Sequence, residues 1–149
     1  MLLSPELMQA IAKKGFDEPT DVQKETLPKL LGKRVDFVGQ AQTGTGKTAA
    51  FAIPLLENIK NDAKGLQALI LAPTRELAGQ IEEEIQSLSC FKKVTSQCVY
   101  GGIGIDKNFK DLKRKRPQIL VGTPGRVLDL IRRKAIDLSE ARYAILDEA

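Results

Sequence analysis

The amino-acid sequence predicts an α/β protein with a parallel β-sheet flanked by helices, and two patterns support this prediction. Short apolar segments alternate along the chain with longer amphipathic segments, which is the order expected of βαβ units. Clusters of glycine, hydroxyl and charged residues follow several of the apolar segments directly. Because ligands of parallel sheets bind beyond the carboxyl ends of the strands, these clusters are the candidate functional residues.

Residues 1–32 predict two helices before the alternation begins. Ser4-Pro5-Glu6 combines a capping residue, a proline at the first helical position and an acid in the first turn, and Gly15 stops this helix. Thr20 and Gln23 have the spacing of a capping box, in which each side chain bonds the other residue's backbone N–H. Gly32 ends the second helix.

The remaining segments predict five short strands separated by helices. We expect strands at Val35–Val38, Gln67–Leu71, Val94–Tyr100, Ile119–Val121 and Tyr143–Leu146. We expect helices from about Lys47 to Lys60 and around the apolar stripes of Leu77–Leu88, Ile105–Leu112 and Val127–Ile131.

Composition narrows the class of protein. The chain has 149 residues, 42% of them hydrophobic, with a net charge of +4, so it fits one domain of ordinary size. It contains no histidine, which excludes a Ser-His-Asp triad and any zinc site built on imidazole. Cys90 and Cys98 are not a C-x-x-C pair, and no signal peptide or membrane-length apolar run is visible. We therefore expect an intracellular, cytoplasmic protein that does not enter membranes, with the nucleus left open.

The segment Gln42-Thr43-Gly44-Thr45-Gly46-Lys47-Thr48 predicts a phosphate-binding P-loop, because it follows an expected strand and opens an expected helix. Its glycines let backbone N–H groups face an anion, and the helix N-terminus adds partial positive charge. Lys47 would reach the β- and γ-phosphates, and the Thr48 hydroxyl would hold Mg²⁺. The strict pattern has glycine where Ala41 stands. The alternative is a surface turn rich in glycine and threonine.

Asp147-Glu148 follows the last apolar strand, as expected of a Walker B motif. Asp147 would bind Mg²⁺ and Glu148 would polarise the attacking water, although two acids at a strand exit are also common by themselves.

Two further clusters, Pro73-Thr74-Arg75-Glu76-Leu77 and Thr123-Pro124-Gly125-Arg126, each place a hydroxyl and an arginine at a helix start. That combination suits the phosphates of nucleic acid, and helix capping is the alternative. Gly101-Gly102 would allow close approach of a phosphodiester or form a plain turn. Lys113-Arg114-Lys115-Arg116 favours a solvated helix end over a nucleic-acid patch or nuclear signal.

Taken in order, these motifs resemble the DEAD-box family of ATP-dependent RNA helicases. Residues 15–23 match the Q motif, G-F-x-x-P-T-x-x-Q, and residues 41–48 match the family's A-Q-T-G-T-G-K-T form of the P-loop. The motifs at residues 73–80, 101–102 and 123–126 match its RNA-contact motifs, and Asp147-Glu148-Ala149 matches the name motif without its last Asp.

The resemblance implies roles for particular residues. It implies ATP and Mg²⁺ as ligands, with Gln23 reading the adenine and Phe16 and residues 42–48 completing the nucleotide site. Lys47, Asp147 and Glu148 would be catalytic, with Thr48 and Asp147 holding the metal. The implied contacts to single-stranded or duplex RNA, independent of base sequence, are Thr74, Arg75, Gly101, Gly102, Thr123 and Arg126.

The resemblance also implies a domain organisation. We expect a partial first RecA-like lobe, with Q-motif helices at residues 1–32 and the P-loop to Asp-Glu-Ala strand at 33–149. The second lobe and the family's S-A-T strand, which lies between the P-loop strand and the Asp-Glu strand, have no counterpart here, so we expect unpaired strand edges. The parent would be an ATP-hydrolysing RNA helicase. The chain alone would be nearly inactive, and a non-catalytic nucleotide- or RNA-binding fragment is the alternative.

Overall fold

The computed structural model describes residues 3–32, 36–39, 46–61 and 65–147. Its elements, in chain order, are α1 (Pro5–Lys13), α2 (Asp21–Gly32), α3 (Lys47–Asn58), β1 (Ala68–Leu71), α4 (Arg75–Leu88), β2 (Ser96–Val99), α5 (Ile105–Lys115), β3 (Ile119–Gly122), α6 (Pro124–Arg132) and β4 (Tyr143–Leu146). The predicted α/β class with a parallel sheet is confirmed. None of the helices within these ranges is long and apolar enough to cross a bilayer.

The chain divides into two compact units. The first unit comprises Met1–Ile59 with Ser87–Lys93, and the second comprises Lys60–Gln86 with Val94–Ala149. The boundary expected after residue 32 stays a prediction.

The first unit contains α1, α2 and α3, and α3 packs against both of the other helices. At the start of α1 the backbone N–H of Ser4 donates to the carboxylate of Glu57, 3.1 Å from each oxygen, so an α3 carboxylate lies at the positive end of the α1 dipole. The predicted capping box of α2 is present: the Thr20 N–H donates to Gln23 Oε1 over 3.0 Å, and the Gln23 N–H donates to Thr20 Oγ1 over 3.3 Å.

The second unit contains a four-stranded parallel sheet in the order β2-β3-β1-β4. Ala68 lies opposite both Ile119 and Tyr143, and Ile119 also lies opposite Ser96, so the four strands begin and end in register. Helices α5 and α6 share one apolar cluster with the sheet, built around Val99, Leu120, Val127, Leu130 and Ile136. The two helices therefore cover the same face of the sheet.

One expected strand is wrong over most of its length. Residues 36–38 have no regular secondary structure, and Val35 lies outside the described residues. The side chain of Val38 is 97% exposed. An apolar residue that buries nothing gains no hydrophobic free energy from pairing, so the alternating pattern does not hold these residues in a strand.

Candidate functional site

The described part of the nucleotide motifs centres on Thr20, Gln23 and Gly46, which we call the Q-motif cluster. Gln23 is only 5% exposed. Its amide oxygen accepts the Thr20 N–H, and its amide nitrogen donates to the carbonyl oxygen of Gly46 over 3.2 Å. One side chain therefore closes the capping box of α2 and also ties α2 to the residue before α3. This bond links the Q motif to the end of the P-loop.

Gly46 occupies a position at which any side chain would be strained. Its φ is +80°, in the left-handed region that glycine adopts without strain. A Cβ atom here would lie 2.6 Å from the Gln23 amide nitrogen and 2.9 Å from two atoms of the Thr20 side chain. The glycine predicted for phosphate binding is thus also required by the packing of the Q-motif cluster.

Lys47 and Thr48 are the first two residues of α3, and both are partly buried. Their backbone N–H groups belong to the first helical turn, which carries the positive end of the helix dipole. This is the setting that favours a bound anion. Gln42, Thr43, Gly44 and Thr45, also expected to bind nucleotide, lie outside the described residues.

Phe16 follows α1 in the first unit, and its side chain is 37% exposed. The ammonium of Lys14 lies 5.3 Å from the centre of its ring, a cation–π contact that holds the ring beside the start of the Q motif. Its expected contact with nucleotide stays a prediction.

The remaining motifs lie along one edge of the sheet in the second unit. Because all four strands are parallel, the residues that follow β1, β2, β3 and β4 emerge on the same side. Thr74, Gly101-Gly102, Thr123 and Asp147 are those residues, and we call this side the motif edge. The ladder continues past the strands: the Thr123 N–H donates to Val99 O over 3.2 Å, and the Asp147 N–H donates to Leu71 O over 2.9 Å.

Thr74, Arg75 and Gly102 form an exposed group on the motif edge. Thr74 caps α4, because its hydroxyl accepts the Leu77 N–H over 3.2 Å, and its expected contact with RNA stays a prediction. Arg75 Nη1 lies 3.3 Å from where a Cβ on Gly102 would stand, and Gly102 has a φ of +93°. Arg75 pairs with the Glu76 carboxylate over 3.2 Å. A backbone hydrogen bond is the largest cause that lowers the pKa of the Glu76 carboxyl, and the hydrogen bond from Arg75 lowers it further.

Arg126 is held more firmly than Arg75. Its Nη1 donates to the carbonyl oxygen of Ile103 and to Oδ1 of Asn108, each over 2.7 Å. Asn108 is only 3% exposed. Sequence reasoning missed Asn108, although a signal was present: it is a polar residue three positions after Ile105 on the buried side of α5. Arg126 thereby joins α6 to α5 and to the loop after β2.

Asp147, directly after β4, is 5% exposed, which is unusual for a carboxylate and consistent with a functional role. Glu148, the other expected catalytic acid, lies outside the described residues. Lys47 and Thr48 belong to the first unit and Asp147 to the second. The shared catalytic role of these residues stays a prediction.

A groove of about 330 Å³ lies between α4, β2 and α5, and none of its charged residues was expected to be functional. Burial, partly offset by Lys115, raises the pKa of Glu82 on its wall. Burial, with a smaller contribution from Glu82, raises the pKa of the Cys98 thiol to about 12. Cys98 is therefore a protonated, unreactive thiol at neutral pH.

Comparison with known proteins agrees with this geometry. The family model described as "DEAD/DEAH box helicase" matches residues 20–149. The chain is 48% identical to the ATP-dependent RNA helicase CshA of Limosilactobacillus reuteri and 48% identical to the DEAD-box ATP-dependent RNA helicase CshA of Bacillus subtilis. Each alignment covers 99% of this chain and 29% of the relative, so the chain spans less than a third of these proteins.

Two solved structures resemble the fold. One is a DEAD box protein from the hyperthermophile Methanococcus jannaschii, with a TM-score of 0.93 at 47% identity, covering 99% of this chain and 40% of that one. The other is Saccharomyces cerevisiae Dbp5 bound to RNA and ADP BeF3, with a TM-score of 0.88 at 41% identity, covering 98% of this chain and 36% of that one. The chain has a Q-motif cluster in its first unit and a parallel sheet with a motif edge in its second, and these are features of a RecA-like helicase lobe. The chain belongs to the DEAD/DEAH box helicase family.

Proposed function

We propose that this chain is the ATP-binding lobe of an ATP-dependent RNA helicase whose full-length form couples RNA-stimulated ATP hydrolysis to local duplex unwinding. The observation that carries the proposal is the hydrogen bond from the buried Gln23 amide to Gly46, which joins the Q motif to the residue before α3. The named activity of the CshA relatives supports it. The alternative is a nucleotide- or RNA-binding fragment without catalysis.

In this proposal the first turn of α3 binds the phosphates of ATP. Lys47 neutralises charge on the β- and γ-phosphates, and the N–H groups of the turn donate to their oxygens. Gln23 reads the adenine edge, since an amide both donates and accepts. Phe16 and residues 42–45 complete the site.

Thr48 and Asp147 are the proposed Mg²⁺ ligands. A hydroxyl and a carboxylate are hard oxygen donors, which fits Mg²⁺. Within the described residues no group of three or more His, Cys, Asp or Glu could hold a metal. Mg²⁺ usually takes one or two protein ligands and completes its shell with phosphate oxygens and water. The bound metal would neutralise charge on the transferred phosphoryl group, while Glu148 orients water.

RNA is proposed to bind along the motif edge. Exposed Thr74, Arg75, Gly101 and Gly102, with the partly buried Thr123 and Arg126, offer cations, hydroxyls and close backbone approach rather than base-stacking surfaces. Binding to single strands should therefore be independent of base sequence and weaken steeply with salt. The similar Dbp5 structure contains bound RNA, which supports this choice of ligand.

Calorimetric titration with ATP–Mg²⁺ tests the nucleotide site. Lys47→Ala removes a charge-assisted phosphate contact and should cost about 1.5–3 kcal/mol, or roughly 10- to 150-fold in affinity. Lys93→Ala, at an exposed lysine of the same unit, is the control and should bind ATP as tightly as the unsubstituted protein does. Unchanged affinity in Lys47→Ala would remove the P-loop assignment.

Measurement of steady-state ATP turnover distinguishes the proposed helicase activity from the non-catalytic alternative. The full-length protein should hydrolyse ATP faster when single-stranded RNA is added, and Glu148→Gln should abolish that stimulation while ATP binding persists. Tight ATP binding without turnover by the full-length protein would favour the non-catalytic alternative. We propose an intracellular, cytoplasmic setting for this activity, with the nucleus left open.

A further inference from the structure

A second concentration of positive charge lies at the edge of the sheet opposite the motif edge. Helix α5 runs from the carboxyl end of β2 to the amino end of β3, and α6 runs from the carboxyl end of β3 to the amino end of β4. Both helices therefore end where the strands begin. Their last turns and the residues around them contain Lys113–Arg116, Arg132–Lys134 and Arg142, which we call the basic edge.

The basic edge is continuous in space because the two helices share one face of the sheet. Residues of α5 and α6 pack into the same apolar cluster. Ile119 and Tyr143 both lie opposite Ala68, so the starts of β3 and β4 are two strand spacings apart, about 10 Å. Cations that are distant in sequence thus converge on a strip whose width matches a few phosphates.

Most of these cations have no acidic partner. Asp111 pairs with Arg114 over 3.2 Å, and Asp129 pairs with Arg133 over 3.1 Å. The charge of Lys115 offsets part of the effect of burial on the pKa of Glu82. Oδ1 of Asp137, on the segment after α6, accepts a hydrogen bond from the backbone N–H of Ser139 over 2.9 Å. In the described part of the chain the side chains of Lys113, Arg116, Arg132, Lys134 and Arg142 form no hydrogen bond or ion pair.

The backbone supplies a second, independent observation. Among the described residues, Arg116 and Lys134 are the two non-glycine residues with positive φ, at 45° and 59°. Arg116 is the C-cap of α5, and Lys134 follows the C-cap of α6. Glycine is the unstrained residue at such positions. The helix dipole favours cations within the last turn, but it does not account for a strained cation after each helix.

We propose that the basic edge is a second RNA-binding surface, separate from the motif edge, which holds the phosphate backbone of a longer RNA without reading its bases. A strip of exposed cations, most of them unpaired, fits a polyanion with regularly spaced charge. The proposal rests on the proposed function only for the choice of RNA as that polyanion. An acidic protein and an anionic membrane are the competing occupants.

A four-site variant tests the proposal without weakening the fold. Lys113→Gln and Arg132→Gln remove exposed charge, while Arg116→Gly and Lys134→Gly also relieve the positive-φ strain. The melting temperature should rise by about 2–4 °C. A matched control, Lys13→Gln, Lys24→Gln, Lys29→Gln and Lys93→Gln, removes the same charge from exposed lysines of the first unit.

Affinity for single-stranded RNA of about 30 nucleotides, longer than one binding fold typically occupies, is measured against salt. On a single strand, each phosphate contact adds about 0.7 to the steepness with which log affinity falls against log salt concentration. Loss of four contacts should therefore reduce that slope by about 2.8 in the four-site variant. When salt rises from about 50 to 200 mM, both proteins lose affinity for RNA. The fold-loss of the four-site variant should then be about 50 times smaller than that of the unsubstituted protein. A slope equal to that of the control variant would overturn the proposal.

Three further measurements distinguish RNA from the competing occupants and the basic edge from the motif edge. Two probes represent the competing occupants: polyglutamate, and vesicles of anionic phospholipid. If either binds the unsubstituted protein as tightly as the long RNA does, and binds the four-site variant no longer, the surface belongs to that partner instead. An RNA of about 8 nucleotides, within the span of one edge, should be sensitive to Arg75→Ala and insensitive to the four-site variant. Failure of Arg75→Ala alone would count against the motif edge and leave the basic edge standing.

Discussion

The Q-motif cluster and the motif edge hold their functional groups in different ways. In the cluster the key amide is buried and bonded to two backbone groups, so its position is set by the contacts that begin α2 and α3. On the motif edge Thr74 and Arg75 are exposed, and mainly the ends of the strands set their positions. In the proposed function, the amide that reads one base is preorganised, whereas the groups that bind phosphates need only charge at a suitable place. Arg126 is the exception, because it is bonded to buried groups.

The largest effect should come from the packing beneath the motif edge. A Cβ on Gly122 would lie 2.5 Å from Val127 Cγ2 and 2.9 Å from the backbone oxygen of Val99. We expect Gly122→Ala to lower the free energy of unfolding by about 3 kcal/mol, measured by urea denaturation. Gly101→Ala, which has open space around it, should change little. Equal effects would show that the edge does not depend on this packing.

The corresponding change in the Q-motif cluster is Gly46→Ala. Positive φ and collision with the capping box should together cost about 2 kcal/mol of stability. Because Gly46 adjoins Lys47, ATP affinity should fall as well. Gly79→Ala in α4 meets no atom within 4 Å, so it is the control, and it should stabilise the fold by about 0.5–1 kcal/mol. If Gly46→Ala lost stability but kept full ATP affinity, the cluster would be structural only.

Alanine substitution of the two arginines of the motif edge should lower the free energy of unfolding by different amounts. Arg126→Ala leaves the oxygens of Ile103 and Asn108 without their charged donor and should cost about 1.5 kcal/mol. Arg75→Ala removes only an exposed ion pair and should cost less than about 0.5 kcal/mol. Both variants should weaken RNA binding. A stability loss for Arg75→Ala equal to that for Arg126→Ala would contradict the comparison.

The smallest effect distinguishes the two cysteines. Cys90 is exposed in the first unit, whereas burial raises the pKa of Cys98 from 9.0 to about 12. Iodoacetamide at neutral pH should therefore modify Cys90 well before Cys98, as read by mass spectrometry. The unfolded thiol ionises at lower pH than the folded one, so the stability due to protonated Cys98 is complete below about pH 9 and falls as pH rises toward 12. Cys98→Ala should flatten that alkaline decline.

Local patterns were sufficient for some features and not for others. The spacing of Thr20 and Gln23 predicted a capping box, because that interaction spans only one turn. Alternation predicted a parallel sheet but not the order β2-β3-β1-β4, which depends on how the helices pack. The bond from Gln23 to Gly46 and the support of Arg126 by Asn108 join residues distant in sequence, so no periodicity could reveal them.

The common register of the four strands makes the motif edge a frame of fixed length. Along that frame the order is Gly101-Gly102, Thr123, Thr74 and Asp147, whereas along the chain Thr74 comes first. The outer strands are three spacings apart, about 14 Å, whatever the lengths of the helices between them. Added residues in a connecting loop would leave this frame intact. A slip of β3 by one residue would shift Thr123 by about 3.3 Å and reverse the faces of its neighbours, so alignment of the strands governs which atoms a ligand meets.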